Sequence, residues 1–209
     1  MSTSEIGYWN RMAGLYDSFM RRNRKAYAAV MCRFATAIGP DDTLLELAAG
    51  TGVFTAALAA CARTVVATDF APQMLRIAQA KVHADNVSFA VADACHLPYA
   101  DGSFDVVFVA NALHIMPDPA QAMREIRRVL KPNGRLIAPT FVRTGSLGNR
   151  LWSRFLVFFT GFPDHQKWTA AQFQQFITSH AFTITEEAII KSSGFYDMDY
   201  LVARKILRT

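Results

Sequence analysis

The sequence predicts an α/β fold, in which helices cover both faces of a mostly parallel β-sheet. Two observations predict it. Short β-branched runs alternate with stretches of helical periodicity from residue 43 to residue 141, and no internal repeat or linker interrupts the 209 residues. Such alternation is typical of βαβ units. A chain of this length can bury roughly 70% of its unfolded surface. We therefore expect a single domain over 1–209, with an N-terminal helical cap (1–40) and an insert after the fifth strand (142–168).

The predicted sheet has seven strands, five before residue 142 and two near the end of the chain. Their predicted ranges are Thr43–Leu47, Thr64–Asp69, Val87–Ala92, Phe104–Ala110, Arg135–Phe141, Phe182–Lys191 and Tyr196–Ile206. Helices are predicted over Phe54–Ala62, Pro72–Lys81, Pro119–Leu130 and Thr169–Ser179. Two of these helices have a predicted capping box at the N-terminus, Asp118 with Gln121 and Thr169 with Gln172. Lys131, Pro132 and Gly134 are expected to end the third helix.

Composition describes an ordinary globular protein, with 52% hydrophobic and 19% charged residues. The three cysteines, Cys32, Cys61 and Cys95, are widely spaced and form no C-x-x-C pair. This pattern favours free thiols over a disulfide framework or a zinc site. The first five residues are polar and contain no apolar signal core, so a cytoplasmic location is expected. The formal charge of +5 would suit nucleic acid, anionic lipid or an acidic substrate and does not choose among them.

A small-residue turn, Ala48-Ala49-Gly50-Thr51-Gly52, follows the first predicted strand and opens a helix. Glycines at such a turn let a ligand approach backbone N–H groups, and ligands of open α/β sheets bind at this edge. The dinucleotide pattern G-x-G-x-x-G fails here, because Thr55 stands at its third glycine. Glu46 adds a carboxylate that suits a cation better than a pyrophosphate. S-adenosylmethionine carries a sulfonium and an ammonium group and no phosphate, so the sign of the charge favours it.

The stretch Leu44–Gly52 resembles motif I of the class I S-adenosylmethionine-dependent methyltransferases. The wider pattern resembles their ubiquinone/menaquinone-biosynthesis branch, methyltransferase type 11. The resemblance covers residues 8 to 141 well and the C-terminal third loosely. It implies a Rossmann-like seven-stranded sheet whose last strand is antiparallel, with S-adenosyl-L-methionine as cofactor and S-adenosyl-L-homocysteine as product. The family usually has a glycine where this chain has Ala48, which puts the detailed geometry of the turn in doubt.

Two further acids follow predicted strands on the same edge of the sheet. Asp69 can accept hydrogen bonds from both ribose hydroxyls, a role shared with dinucleotide enzymes. By resemblance, Asp93 accepts from the adenine amine, and the Ala94 N–H donates to a ring nitrogen. Phe70 and Met74 either flank the adenine or belong to the core. Taken singly, each acid could be a helix cap or a surface residue, and it is the presence of three that favours a cofactor site.

The end of the fourth predicted strand, Asn111 to His114, faces the transferred methyl group in the family. It lacks the Asn/Asp-Pro-Pro-Tyr motif of amino-methylating enzymes, which argues against a nucleic-acid substrate. We place Asn111 in the cofactor site. His114 is a candidate general base, or it packs against the methionine end of the cofactor or caps a turn. Upstream, the segment around Tyr16 resembles a family helix that folds over the cofactor. The alternative is a helix that covers a sheet edge.

The predicted insert is rich in aromatic residues and would suit a small-molecule or lipid-like acceptor. Its aromatic residues, with Trp168 at the end of the insert, are Trp152, Phe155, Phe158, Phe159, Phe162 and Trp168. Arg150 and Arg154 could hold an anion or meet a membrane surface, although such a stripe is more often a core face with solvated arginines. The alternatives are a nucleic-acid methyltransferase, a nicotinamide oxidoreductase and a non-catalytic S-adenosylmethionine-binding protein. The sequence leaves the acceptor and the oligomeric state open.

Overall fold

A computed structural model describes residues 3–143, 166–192 and 196–206 of the chain. Its strands form one mixed sheet. They are β1 (Thr43–Leu47), β2 (Thr64–Asp69), β3 (Val87–Val91), β4 (Phe104–Val109), β5 (Leu130–Ile137), β6 (Thr140–Arg143), β7 (Phe182–Ile190) and β8 (Tyr196–Lys205). The helices are α1 (Thr3–Met20), α2 (Arg24–Ala37), α3 (Thr55–Ala59), α4 (Pro72–Lys81), α5 (Pro119–Val129) and α6 (Ala170–Ser179), with 3-10 turns at Arg21–Asn23 and Leu113–Ile115.

The first five strands are parallel and lie in the order β3-β2-β1-β4-β5. The chain runs outward from β1 through β2 to β3, and then continues on the other side of β1 with β4. The strand order therefore reverses between β1 and β4, which is where open α/β sheets bind their ligands. β8 is antiparallel to β5, β6 and β7. The Rossmann-like, mostly parallel sheet with an antiparallel last strand is confirmed.

β5 and β6 form one interrupted strand. Both pair with the same side of β8, where Ile137 lies opposite Val202 and Thr140 lies opposite Asp199. Counted together they give the predicted seven strands. β5 begins at Leu130 rather than at Arg135, because Leu130 already pairs with Phe104 before the ladder shifts register.

Helices cover both faces of the sheet, as predicted. On one face, α2 and α3 pack through Phe34, Phe54 and Phe108, whose rings meet edge to face. On the other face, α5 and α6 bury Ile126 and Phe173 against the strands. Apolar burial on both sides explains why the central strands read as β-branched runs with little alternation.

Two helix starts show how well local signals predict structure. Thr169 and Gln172 form the complete predicted capping box at α6. At α5, Asp118 accepts a hydrogen bond from the Gln121 N–H at 2.8 Å. The Gln121 side chain, however, donates to the Cys95 carbonyl at 3.0 Å instead of closing the box. A tertiary contact competes successfully for this side chain.

The predicted N-terminal cap consists of α1, a 3-10 turn and α2, and α1 packs against α4. Most of the predicted insert, including Arg150, Arg154 and five of its six aromatic residues, lies outside the described residues. Within the described part, Trp168 stacks on Phe173 and Phe176 with ring centroids 5.3 and 4.7 Å apart. No helix of the described residues is both long and apolar enough to cross a bilayer.

Candidate functional site

The turn after β1 has left-handed backbone at Ala48, Gly50 and Gly52, with φ of 53°, 56° and 78°. A Cβ added at Gly52 would lie 3.1 Å from the Cβ of Ala78, so this glycine is needed for close contact with α4. At Ala48 the chain takes the same conformation with a methyl group, at a cost of roughly 1–2 kcal/mol. The turn is therefore formed without the glycine that the family pattern has at this position.

Glu46 lies in β1 beneath this turn and is 2% exposed. Its Oε2 accepts a hydrogen bond from the Thr55 hydroxyl at 2.7 Å, at the start of α3. Burial raises the pKa of Glu46 to about 8, the bond from Thr55 lowers it, and the charge of Asp69 raises it. At neutral pH the carboxyl group of the unliganded chain therefore largely holds its proton. A cation nearby would lower its pKa and favour the ionised form.

Asp69 ends β2 and is 6% exposed. One oxygen accepts from the Ala71 N–H at 2.8 Å and the other from the Gly50 N–H at 2.9 Å. Burial raises the pKa of Asp69 to about 6, although these N–H donors lower it. Asp69 thus fixes the turn after β1, and the Gly50 N–H that the sequence offered to a ligand is directed at this carboxylate.

Asp93 follows β3, and its side chain is 31% exposed. It accepts a hydrogen bond from the Cys95 N–H at 2.9 Å. Burial raises the pKa of Asp93, this N–H and the nearby His96 are among the groups that lower it, and the pKa lies below its usual value. Asp93 is therefore an ionised acceptor within reach of solvent.

The three acids lie at different depths along one sheet edge. Glu46 is level with Ala67 in the β1–β2 ladder, whereas Asp69 lies two residues further along β2 and opposite Val91. Asp93 follows two residues after Val91. Each step of two residues is about 6.6 Å along a strand. The three carboxyl groups therefore lie at successive depths, from Glu46 in the interior to Asp93 at the rim. This refines the arrangement along one sheet edge that the sequence predicts.

A pocket opens where β1, β2, β3 and β4 end. Its lining residues are Ala48, Thr68, Phe70, Ala92, Asp93, Ala94, Cys95, Ala112, Ile115 and Met116. The lining is mostly apolar, with one ionised acid at its outer end. Four predicted site residues thus meet here: Ala48, Phe70, Asp93 and Ala94. The sequence did not place the others in the site, although all of them except Met116 directly follow a strand or neighbour a predicted site residue.

Met74 lies in the core, 2% exposed, in a cluster with Trp9, Ala13 and Ala71. This is the second of the two interpretations that the sequence allowed. Phe70 packs against the same cluster and also lines the pocket, so α1 is connected to the pocket wall through these contacts. Tyr16 lies in α1, and its side chain is outside the described part of the structure.

Asn111 follows β4 with a left-handed φ of 51°. Its N–H donates to the Pro139 carbonyl at 2.8 Å, and its Oδ1 accepts from the Phe141 N–H at 3.0 Å. Both contacts hold Asn111 against the junction of β5 and β6. His114 lies in the following 3-10 turn, half-buried, and its carbonyl accepts from the Gln166 N–H at 2.9 Å.

Cys95 is buried in the pocket wall. Burial, together with the nearby Asp93 and Asp118, raises the pKa of its thiol to about 11. The thiol is therefore neutral and unreactive at physiological pH. Among the described residues no group of three or more His, Cys, Asp or Glu side chains could hold a metal ion.

Residues 45–138, which contain most of β1, all of β2 to β5 and every residue that lines the pocket, match the family model described as a methyltransferase domain. The match begins at the strand that carries Glu46 and ends just after β5. The sequence resemblance to class I methyltransferases is thereby confirmed.

Curated relatives extend this likeness to particular enzymes. The chain is 43% identical over 101 residues to a demethylmenaquinone methyltransferase of Clavibacter sepedonicus, a match that covers 48% of this chain and 41% of the relative. It is 42% identical over 140 residues to a demethylmenaquinone methyltransferase of Mycobacterium marinum, covering 62% and 59%. The matched segments thus span about half the length of these relatives.

Solved structures show that the fold extends beyond the methyltransferase domain. A SAM-dependent methyltransferase of Thermotoga maritima aligns with a TM-score of 0.75 at 18% identity, covering 95% of this chain and 99% of the other. At such low identity the alignment concerns the fold. The same fold therefore includes the N-terminal helices and the C-terminal strands.

Proposed function

We propose that the chain is an S-adenosylmethionine-dependent methyltransferase that acts on a small, quinone-like or lipid-like acceptor. The observation that carries the proposal is an apolar pocket at the strand-order reversal that is lined by Asp93, with the buried acids Glu46 and Asp69 on the adjoining strands β1 and β2. Acidic groups repel a pyrophosphate and attract a sulfonium ion. An apolar slot accepts an adenine ring. This combination favours S-adenosylmethionine over a dinucleotide.

The pocket residues would hold the cofactor from its adenine end inward. Asp93 would accept from the adenine amine and the Ala94 N–H would donate to a ring nitrogen, while Phe70 covers one face of the ring. Asp69 has lone pairs left after accepting from Gly50 and Ala71, and these would take the ribose hydroxyls. Glu46 would act through its charge on the sulfonium and ammonium groups.

The remaining predicted site residues complete this assignment. Ala48, Gly50 and Gly52 shape the turn beneath the cofactor, and Asn111 faces its methionine end. Tyr16 would close the site from α1.

The proposed reaction is an in-line displacement. When bound, S-adenosylmethionine would supply a methyl group already activated by its sulfonium, for transfer to the acceptor with S-adenosylhomocysteine as the leaving product. The protein's task is alignment and water exclusion, which can contribute roughly 7–11 kcal/mol of barrier lowering. His114, in the turn between the pocket-lining Ala112 and Ile115, is proposed to accept a proton from the acceptor where one must leave.

The acceptor class is supported by the relatives and by one aromatic surface. Both relatives described above are demethylmenaquinone methyltransferases. In this chain, Trp168 stacks on Phe173 and Phe176 and packs against the core cluster that includes the pocket-lining Met116. Stacked rings suit a flat aromatic acceptor. Contact of the insert with a membrane surface stays a prediction, since Arg150 and Arg154 lie outside the described residues; vesicle flotation would test it.

Calorimetry with S-adenosylmethionine tests the cofactor assignment. Asp69→Ala and Gly50→Val should each abolish measurable binding. Asp69→Ala removes an acceptor beside the ribose site and releases the Gly50 N–H, whereas Gly50→Val puts a β-branched residue at a φ of 56°. Asp101→Asn, a change at an exposed acid of the β4 loop, is the matched control. Unchanged affinity in both site variants would refute the assignment.

Turnover should be assayed with labelled methyl donor against a reduced demethylated naphthoquinone. Transfer of label supports the proposal. Binding of the cofactor without transfer to any acceptor would favour a non-catalytic binding protein. The formal charge of +5 keeps nucleic acid as a second candidate acceptor, and strong salt-dependent binding of tRNA or DNA with label transfer would favour it.

A further inference from the structure

Three polar side chains lie beyond the pocket, one just after β4, one on β6 and one on β8, and each has a buried atom without a hydrogen-bond partner in the described part of the chain. They are the side-chain amide nitrogen of Asn111, the hydroxyl of Thr140 and the Oδ1 of Asp199. Thr140 and Asp199 are both fully buried. An unpaired buried polar atom costs about 1–3 kcal/mol, so a native chain keeps such atoms where something binds them.

Thr140 and Asp199 lie directly opposite one another in the β6–β8 ladder. Their neighbours by alternation, Val142 and Leu201, belong to the core on the α6 face of the sheet, so Thr140 and Asp199 lie on that face. Directly opposite residues have Cβ atoms about 4.5–5.5 Å apart. The two side chains make no direct hydrogen bond, but a single oxygen atom between them could contact both.

The pair is also adjacent to the proposed methyl-transfer region. Asn111 bonds to the carbonyl of Pro139 and to the N–H of Phe141, the residues on either side of Thr140. Asn111 is followed by Ala112, which lines the pocket. Adjacent strands are about 4.8 Å apart. Thr140 is therefore one strand spacing beyond the pocket edge and Asp199 two.

The surroundings of Asp199 leave one oxygen for a ligand. Gln174 of α6 donates to its Oδ2 at 3.3 Å, which orients the carboxyl group and occupies that oxygen. Burial raises the pKa of Asp199 to about 6, the bond from Gln174 lowers it, and the charge of Glu187 raises it. At neutral pH Oδ1 is then mainly an acceptor that a hydroxyl donor can satisfy. The next residue of α6, buried Phe173, stacks with Trp168.

We propose that Asp199 and Thr140 form an anchor for a hydroxyl group on an aromatic methyl acceptor, with Asn111 as a further donor on the same side. The hydroxyl donates to Asp199 Oδ1 and accepts from Thr140, while the ring lies toward the Trp168 and Phe173 side chains. This inference rests on the proposed function and assigns to these residues the recognition of a hydroxyl group on its acceptor. The fully oxidised quinone, which has no O–H to donate, is then the poorer ligand.

Binding of 1-naphthol and of its methyl ether, 1-methoxynaphthalene, tests the anchor. The full chain is saturated with S-adenosylhomocysteine, and both dissociation constants are measured by calorimetry. Because the ether leaves Asp199 unpaired, the wild-type chain should bind naphthol at least about tenfold more tightly. Asp199→Asn and Thr140→Val, both close in shape to the native side chains, should reduce this preference to about twofold or less while ether affinity stays unchanged.

Asp197→Asn is the matched control, because Asp197 lies on the same face of the same strand and bonds to Lys191 instead. It should keep the preference. Equal wild-type affinity for naphthol and ether, or full preference in both anchor variants, would overturn the inference and assign the pair a structural role. Failure to bind S-adenosylmethionine would refute the proposed function, and it is measured separately.

Discussion

The raised pKa of Glu46 predicts that cofactor binding releases a proton. In the unliganded chain this carboxyl has a pKa of about 8 because it is buried, so at pH 7 about a tenth is ionised. S-adenosylmethionine would bring a sulfonium and an ammonium group toward it. A unit charge about 6 Å away, at an effective dielectric constant near 20, contributes about 2.8 kcal/mol. That is about two pKa units, which would bring the carboxyl to a pKa of about 6.

The magnitude follows from these two pKa values. At pH 7 the ionised fraction of Glu46 rises from about 0.1 to about 0.9 on binding, so about 0.8 proton is released. Linkage then requires the affinity for S-adenosylmethionine to increase about sixfold between pH 6.5 and pH 7.5. S-adenosylhomocysteine lacks the sulfonium charge, so its proton release and pH dependence should be less than half as large.

Titration calorimetry in buffers of different ionisation enthalpy measures this proton release directly. Glu46→Gln should bind with weaker affinity and with a much smaller release, whereas Glu186→Gln, a change in β7 far from β1 in the sheet order, should behave like the wild type. If the wild-type chain released no proton and its affinity were constant from pH 6.5 to 7.5, Glu46 would not sense the ligand charge, and the electrostatic reason for preferring this cofactor would be lost.

The raised pKa of Glu46 also makes folding stability depend on pH, in the opposite direction to cofactor affinity. A carboxyl whose pKa is raised in the folded chain binds its proton more tightly than in the unfolded chain. The unliganded fold is therefore favoured at low pH and loses stability as pH rises from about 4.5 to about 8. Glu46→Gln should accordingly melt at a higher temperature than the wild type at pH 8, although it binds the cofactor less well.

Two further substitutions test local geometry by denaturant unfolding. Gly52→Ala should destabilise the fold by about 1–3 kcal/mol, because its φ is 78° and the new methyl group meets Ala78 at 3.1 Å. Gly14→Ala is the control and should not destabilise the fold, because its added Cβ has nothing within 4 Å. Equal effects of the two substitutions would contradict the close approach of Gly52 to α4. Asp118→Ala should cost about 1 kcal/mol, because α5 loses the cap on the Gln121 N–H. No change in unfolding free energy would mean that solvent caps this helix equally well.

Much of the fold could be predicted because the signals are local. The range Thr64–Asp69 is predicted from a β-branched run, and Pro72–Lys81 from helical periodicity; both have the predicted bounds. The interruption after Ile137 was missed. Pro139 lacks an N–H and its carbonyl accepts from the N–H of Asn111, which follows β4, and a sequence pattern does not reveal such a pairing.

The site was predicted in outline because the acids follow strands whose order the pattern implies. Their depths were not predicted, since depth depends on register. Glu46 is level with Ala67, and Asp69 is two residues further along. The bond from the Gly50 N–H to Asp69 was also missed, because it joins the turn after β1 to the end of β2. The sequence motif thus predicts which residues form the site, whereas the contacts among them depend on the register of the strands.

Ala48 and Asn111 together show how the site is held in shape before a ligand binds. They follow the two strands that flank the reversal of strand order, and both have left-handed backbone near φ of 50°, which non-glycine residues rarely adopt. Such strain persists where the surroundings fix it. Here the Ala49 N–H bonds to Thr68, and Asn111 bonds to both ends of the β5–β6 junction. Since these bonds lie within the sheet and not at its surface, the pocket edge is set by folding itself, and binding energy need not be used to form it.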